Sequence, residues 1–312
     1  MAKDQDNAVL AMGAAEWGLL LVLAVIWGSS FLFFKVLVEV LPPMSVALGR
    51  VGISALVLNV WLLLRRDAMP ASPRLWLSFL VLGALNNALP FSLIALSETR
   101  IPIGLASILN ATTPLFTIIV AHFWTVNEKL TVAKLLGVFA GLAGAVVIVG
   151  PTALSGLGHG NLLGEAACLM ASVSYGFGVI YGKRFKGLPA IKVATGQITG
   201  ATVVLVPFVL LFDRPWTLPM PGVAVWGAML CIALLCTVVA YILYFRILAV
   251  SGATNVQLVT FLVPGTALLL GWLLLGEAIT IRELGGMALI GLGLAAIDGR
   301  LFNALNVRAA AP

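Results

Sequence analysis

Long apolar stretches alternate with short polar or helix-breaking segments along almost the whole chain. Each stretch is about 20 residues long, the length that an α-helix needs to cross the hydrocarbon core of a membrane. The pattern predicts an all-α membrane protein with ten spanning helices, at about 17–38, 43–64, 75–97, 101–124, 130–150, 161–182, 190–212, 222–245, 252–275 and 281–298. Because the connecting segments are short, we expect the protein to act between its helices and not in a soluble domain.

The composition also favours a membrane protein. Hydrophobic residues make up 61% of the 312 residues and charged residues 10%, against roughly 45–50% and about 25% in soluble domains. Cys168, Cys231 and Cys236 lie inside apolar stretches without the spacing of metal ligands. We therefore expect no disulfide framework, no metal and no cofactor.

The positions of Lys and Arg predict how the chain is oriented, because cytoplasmic loops of membrane proteins are enriched in these residues. If the N-terminus is cytoplasmic, 13 of them fall on the cytoplasmic side and four on the other side. This distribution predicts cytoplasmic tails at 1–16 and 299–312, and a linker at 151–160 on the opposite side. The net charge of +6 is explained by this excess of Lys and Arg on the cytoplasmic side. We therefore expect no nucleic-acid partner.

The chain contains an internal duplication. Three landmarks recur after 148 to 150 residues, namely Trp27-Gly28 and Tyr175-Gly176, Pro114 and Pro264, and the frame E-x-[LI]-T-x5-G-x6-G that begins at Glu128 and at Glu277. These landmarks predict two five-helix repeats, at 17–150 and 161–298. Since five is an odd number, the second repeat enters the membrane in the opposite orientation, as in many transporters.

Neutral polar residues lie at mid-depth in six predicted spans, the first, third and fourth of each repeat. Polar side chains are costly in hydrocarbon unless they face protein or water, so the pattern predicts a central substrate cavity. Its candidate lining residues are Trp27, Ser30, Asn86, Asn87, Asn110, Thr113, Ser174, Tyr175, Thr237, Tyr241, Gln257 and Thr260. Amides, hydroxyls and aromatic rings without a pair of lysines favour small neutral or zwitterionic substrates that have apolar parts.

Prolines and glycines suggest two further roles. Pro114 and Pro264 each remove a backbone hydrogen bond, and we interpret them as candidate hinges, with a purely structural kink as the alternative. Glycines at helical spacing in the fifth span of each repeat predict close helix packing; these residues are Gly137, Gly141, Gly144, Gly286 and Gly293. Packing within one chain is favoured over a homodimer interface, so a monomer is expected.

Ionisable residues are rare in the predicted spans, and no span has Asp, Glu, Lys or His at its centre. Arg50 lies about six residues into the second span, and we expect its head group to reach the membrane surface, with binding of an anionic group as the alternative. Glu98 falls in a polar connection, and Glu165 is expected to be solvated near the outer end of the sixth span. Without an acidic or histidine relay, facilitated movement down a gradient is expected.

The chain resembles the EamA-type members of the drug/metabolite transporter superfamily, and within it the aromatic amino acid exporters. The resemblance rests on Trp27-Gly28-Ser29-Ser30-Phe31, on Pro43 followed by Arg50, and on the duplicated frames that end at Gly144 and Gly293. It implies a basket of ten helices around a central cavity in a bacterial inner membrane, with both chain ends in the cytoplasm and the linker in the periplasm. It predicts export of aromatic and other amino acids by alternating access.

Other functions stay open from the sequence. Efflux of drugs or other small metabolites, or flipping of lipids, would use a similar set of helices. An enzyme is disfavoured, because the two histidines are far apart and no carboxylate lies at mid-membrane. The predicted partners are therefore a small-molecule substrate, an amino acid by resemblance, and membrane lipid.

Overall fold

A computed structural model describes residues 12–126, 129–149, 161–266 and 280–297, and within these ranges all regular structure is helical. The helices are α1 (Ala14–Val38), α2 (Pro43–Leu64), α3 (Pro73–Glu98), α4 (Ile103–Asn110 and Thr113–Trp124), α5 (Val132–Val149), α6 (Leu162–Gly182), α7 (Ala190–Asp213), α8 (Val223–Gly252), α9 (253–266) and α10 (Ile281–Ile297). The predicted linker and C-terminal tail, and residues 1–11, lie outside the described ranges.

The lengths of the helices are those of a multi-pass membrane protein. Seven of the described helices, α1 to α4 and α6 to α8, are long and apolar enough to cross a membrane, and α5 and α10 are shorter apolar helices. Because α9 is described only as far as residue 266, the count of ten spans stays a prediction. α8 extends past the predicted end at 245 to Gly252, whose φ of 82° is the first non-helical backbone angle.

The helix contacts of one half of the chain correspond to those of the other. α3 packs against α6 and α7, and its counterpart α8 packs against α1 and α2, while α5 and α10 pack against each other. Exchanging the two halves converts the contacts of α3 into those of α8, and it leaves the contact between α5 and α10 unchanged. This is the arrangement expected of a duplicated five-helix unit.

Hydrogen bonds join the two halves at both ends of the bundle. At one end, the backbone N–H and the hydroxyl of Ser45 donate to Asp213 Oδ2 at 2.7 and 2.8 Å. At the other end, Lys192 Nζ lies 2.6 Å from Asp67 Oδ1. In the orientation predicted from the sequence, the contact of Ser45 with Asp213 lies at the periplasmic end. The contact of Lys192 with Asp67 lies at the cytoplasmic end. We call these the predicted periplasmic end and the predicted cytoplasmic end.

α3 and α8 each contain a π-helical turn at an equivalent position. The turns cover Ala84–Ala88 and Leu234–Val239. A π turn displaces backbone carbonyls from their usual i+4 partners, and side chains bond to carbonyls in or beside both turns. Ser174 Oγ donates to Leu85 O at 2.7 Å, and Thr237 Oγ1 donates to Ile232 O at 2.9 Å.

The helix α4 is interrupted just before Pro114, between Asn110 and Thr113. We expected the carbonyl of residue 110, freed by the proline, to bond to cavity water or to a neighbouring helix. Instead Thr113 Oγ1 donates to Asn110 O at 2.7 Å, so the same helix satisfies it. A hinge role for this break stays a prediction.

The predicted packing glycines lie where α5 crosses α10. A Cβ atom on Gly293 would be 2.6 Å from Gly137 O, and a Cβ atom on Gly144 would be 2.6 Å from Gly286 O. Gly141 faces the Phe261 ring, which a Cβ atom would meet at 3.0 Å. The backbones of α5 and α10 therefore touch within one chain, so this contact joins the two halves.

Replacing Gly293 with Ala should destabilise the protein by about 1–3 kcal/mol, because the added methyl group meets backbone that cannot move aside. Gly291→Ala is the matched control, since a Cβ atom on Gly291 in the same helix has nothing within 4 Å. Thermal unfolding in detergent measures both variants. Equal unfolding temperatures for the two variants would contradict this packing.

Candidate substrate cavity

A cavity opens between the helices of both halves. Its empty volume, which includes space open to solvent, is about 610 Å³. Its walls consist of Trp27, Ser30, Phe31, Phe34, Arg50, Asn86, Phe91, Ile94, Asn110, Tyr175, Tyr241, Tyr244, Thr260 and Val263. Seven of these residues are aromatic, and the polar groups of the wall are amides, hydroxyls, the Trp27 indole N–H and one guanidinium.

The structure brings most of the predicted cavity residues together. Seven of them line the wall: Trp27, Ser30, Asn86, Asn110, Tyr175, Tyr241 and Thr260. Four are buried outside the lining set: Asn87, Thr113, Ser174 and Thr237. The side chain of Gln257 lies outside the description. That substrate contacts these residues stays a prediction.

The buried polar residues hold the wall in position. Asn87 Nδ2 donates to Tyr241 OH at 2.8 Å, and this hydroxyl donates to Asn86 O at 2.9 Å. Asn86 Nδ2 in turn donates to Gln197 Oε1 at 3.2 Å on α7. The network joins α3, α7 and α8 beside the cavity. The mid-depth position of these amides was visible in the sequence, but their inward or sideways direction was not.

Arg50 was predicted to reach the membrane surface, and this prediction is wrong. The residue is only 3% exposed, and its side chain lines the cavity. Its Nε donates to Thr237 Oγ1 at 2.7 Å, its Nη2 to Cys236 O at 2.9 Å and its Nη1 to Ser30 Oγ at 3.2 Å. Arg50 lies on the face of α2 that packs against α1 and α8, so its path to the surface is closed.

The guanidinium of Arg50 has aromatic neighbours and no carboxylate partner among the described residues. Its central carbon lies 3.7 Å from the centre of the Phe91 ring and 5.2 Å from that of Phe34. The three hydrogen bonds use three of its five N–H groups. A buried charge without a counter-ion is costly, and an anionic group in the cavity would offset part of that cost.

Three aromatic residues pack together next to this cation. The ring centre of Trp27 lies 6.2 Å from that of Tyr241 and 5.7 Å from that of Tyr244, and the two tyrosine rings are 5.8 Å apart. Trp27 Nε1 donates at 3.2 Å to Cys236 O, the same carbonyl that Arg50 contacts. A substrate ring would find large, oriented aromatic contacts here.

Two polar atoms in the wall have no partner within the described structure. They are the hydroxyl of Tyr244 and Asn110 Oδ1, and both residues line the cavity. Buried polar groups normally have hydrogen-bond partners. These two atoms are therefore available to a bound molecule or to water.

Two carboxylates that the sequence placed in water are buried. Glu98 is the last residue of α3 and not part of a connection, and Glu165 lies in the first turn of α6. Both are buried because the end of α3 packs against α6. Hydropathy detects the ends of the apolar stretches, but it does not show that a helix continues past them.

Comparison with known proteins agrees with this architecture. A bundle of long apolar helices around a polar and aromatic cavity is an architecture found in many membrane transporters. The model of the EamA-like transporter family matches residues 16–150 and 162–297. The chain belongs to this family, which is part of the drug/metabolite transporter superfamily.

Individual relatives cover most of the chain. It is 28% identical to "Uncharacterized transporter YoaV" of Bacillus subtilis, over 86% of this chain and 91% of the relative. It is 29% identical to "Uncharacterized inner membrane transporter YedA" of Escherichia coli, over 85% and 84%. A solved crystal structure that is 18% identical has a TM-score of 0.71 and covers 91% of this chain and 97% of the other, which shows a likeness of fold.

Removing the hydroxyl of Tyr241 should destabilise the protein, whereas removing that of Tyr244 should not. Tyr241→Phe loses two hydrogen bonds and leaves Asn87 Nδ2 unpaired, which costs about 1–3 kcal/mol. Tyr244→Phe loses no hydrogen bond to the described residues. Thermal unfolding of the two variants measures the difference, and an equal loss of stability would contradict the hydrogen-bond network.

Proposed function

We propose that this protein exports amino acids, aromatic ones in particular, by alternating access through the cavity. The observation that carries the proposal is the buried guanidinium of Arg50, without an acidic partner in the described structure, beside an aromatic cluster. A substrate with a carboxylate and an aromatic side chain complements both features. The resemblance to aromatic amino acid exporters supports the same substrate class.

Arg50 would bind the carboxylate of the substrate. Charge-assisted hydrogen bonds to a guanidinium are stronger than neutral ones and are often bidentate. The bonds to Ser30, Thr237 and the Cys236 carbonyl fix the plane of the guanidinium and leave two N–H groups for the substrate. Orientation before binding reduces the entropy lost when the substrate enters.

The remaining groups of an amino acid also find partners in the wall. Asn110 Oδ1 and the Tyr244 hydroxyl are acceptors without a described partner, and they suit the ammonium group. Trp27, Tyr241 and Tyr244 offer ring faces and edges to an aromatic side chain. Because these contacts are mostly apolar, selectivity among side chains is broad.

The substrate crosses as the two halves expose the cavity to one side at a time. Pro114 and Pro264 are the proposed hinges, and the protein works as a monomer in a bacterial inner membrane with both chain ends in the cytoplasm. No Asp or Glu lies among the residues that line the described cavity, so movement follows the gradient of the substrate. Cationic drugs are disfavoured as substrates, because Arg50 repels them.

Replacing Arg50 with Gln should reduce the uptake of tryptophan into proteoliposomes by about 10- to 100-fold, because a charge-assisted bond to the carboxylate is lost. Arg65→Gln is the matched control: this arginine lies at the exposed end of the same helix, against Trp61, and the variant should transport normally.

The selectivity of the unmodified protein gives a test that does not depend on how the variant folds. Tryptophan should compete for uptake, whereas tryptamine, which lacks the carboxylate, should not. Equal competition by both would exclude carboxylate recognition. Uptake of no amino acid at all would refute the proposed substrate class.

A further inference from the structure

Glu98 lies at the end of α3 in an unusual environment. The residue is 0% exposed, and neither carboxyl oxygen has a hydrogen-bond partner within the described structure. The neighbouring residue Ser97 is 0% exposed as well. An ionised carboxylate in such a place lacks both water and donors, which strongly disfavours its charge.

The groups around Glu98 come from three sides. On α1, Lys35 Nζ donates to the backbone carbonyl of Glu98 at 3.4 Å, and no ion pair with the carboxylate is formed. On α6, which packs against the end of α3, Cys168 is buried and Glu165 lies one turn before it. Arg100, just beyond α3, is exposed. Lys35 is thus the cation that forms a hydrogen bond to Glu98 in the described structure.

Glu98 lies where the predicted periplasmic end of the helix bundle would open and close. α1, α3 and α6 meet at the predicted periplasmic end, where a Cβ atom on Gly164 would be 2.9 Å from Arg100 Cβ. Phe91, whose ring contacts Arg50, precedes Glu98 by two turns of the same helix. A movement that separates α3 from α6 at this end would expose Glu98 to water, and it would also shift Phe91 in the cavity wall.

We propose that Glu98 is a proton-binding site that is occupied while the predicted periplasmic end is closed. When this end opens, the carboxyl O–H bond breaks, the proton passes to periplasmic water, and Lys35 pairs with the carboxylate. On closing, a proton from the same side binds again. No proton crosses the membrane in this cycle, so the pH outside changes the rate of transport and leaves the final distribution of substrate unchanged.

The protonation itself is tested by infrared spectroscopy of the purified protein in a maltoside detergent, which has no ester carbonyl. At neutral pH the spectrum should contain the C=O stretch of a protonated carboxylic acid, and Glu98→Gln should lose it. Glu39→Gln, which removes an exposed carboxylate near the same end, should keep it. A spectrum without this band, or a band unchanged in Glu98→Gln, would overturn the proposal.

A second variant keeps the carboxyl group in place. Lys35→Gln removes the cation that stabilises the ionised form, so the acid band should persist to a higher pH than in the unmodified protein. Loss of the band at a lower pH in this variant would contradict the role of Lys35.

The consequence for transport, which rests on the proposed function, is tested by exchange of labelled tryptophan at equal pH on both sides. The unmodified protein should slow severalfold as the pH falls, while its final level of exchange stays the same. Glu98→Gln should be slow at every pH, because glutamine imitates the neutral acid. Persistent pH dependence in Glu98→Gln would refute the proposal, whereas an acid band without any transport would refute the proposed substrate alone.

Discussion

The buried guanidinium of Arg50 is the interaction on which the cavity wall depends, because a buried charge needs hydrogen-bond acceptors around it. Arg50 is kept from the membrane surface by α1 and α8, and its N–H groups bond to a serine, a threonine and a backbone carbonyl instead of a carboxylate. That carbonyl belongs to Cys236, within the π turn of α8, and it also accepts a hydrogen bond from Trp27. The π turn, the cation and the aromatic cluster therefore form one unit, and each depends on the others.

The duplicated scaffold carries a site that is not duplicated. α5 and α10 touch along their glycines, and α3 and α8 have π turns at matching positions. Yet Arg50 of α2 has no charged counterpart in the middle of α7, where the sequence has Gln197, a neutral side chain that accepts a hydrogen bond from Asn86. Under the proposed function, the symmetric frame would allow two equivalent closed ends, and the single cation would give a bound substrate one orientation.

The sequence predicted the helices better than the directions of their side chains. α2 has the predicted bounds of 43–64, because prolines begin it and arginines follow it. The cavity residues were found by their depth, since polar groups avoid lipid, but Asn87, Thr113, Ser174 and Thr237 bond to the wall from outside the lining set. Arg50 was expected at the membrane surface, with anion binding only as the alternative, and Tyr244 was missed. Their roles depend on which helix covers them, and neither hydropathy nor spacing contains that information.

The burial of Glu98 is a second feature that hydropathy and spacing do not predict. Its place after an apolar stretch indicated a polar connection, whereas tertiary contacts of α3 with α6 determine its burial. A sequence shows where an acid is, but only packing shows whether water reaches it. The burial of Arg50 in the cavity wall and the burial of Glu98 at the end of α3 are both consequences of helix packing.

The most direct measurement is an experimental structure of the protein with tryptophan bound. The account predicts the carboxylate of tryptophan within hydrogen-bond distance of the Arg50 guanidinium, and the indole ring against Trp27, Tyr241 and Tyr244. A ligand bound elsewhere, or bound here with its carboxylate turned away from Arg50, would contradict it.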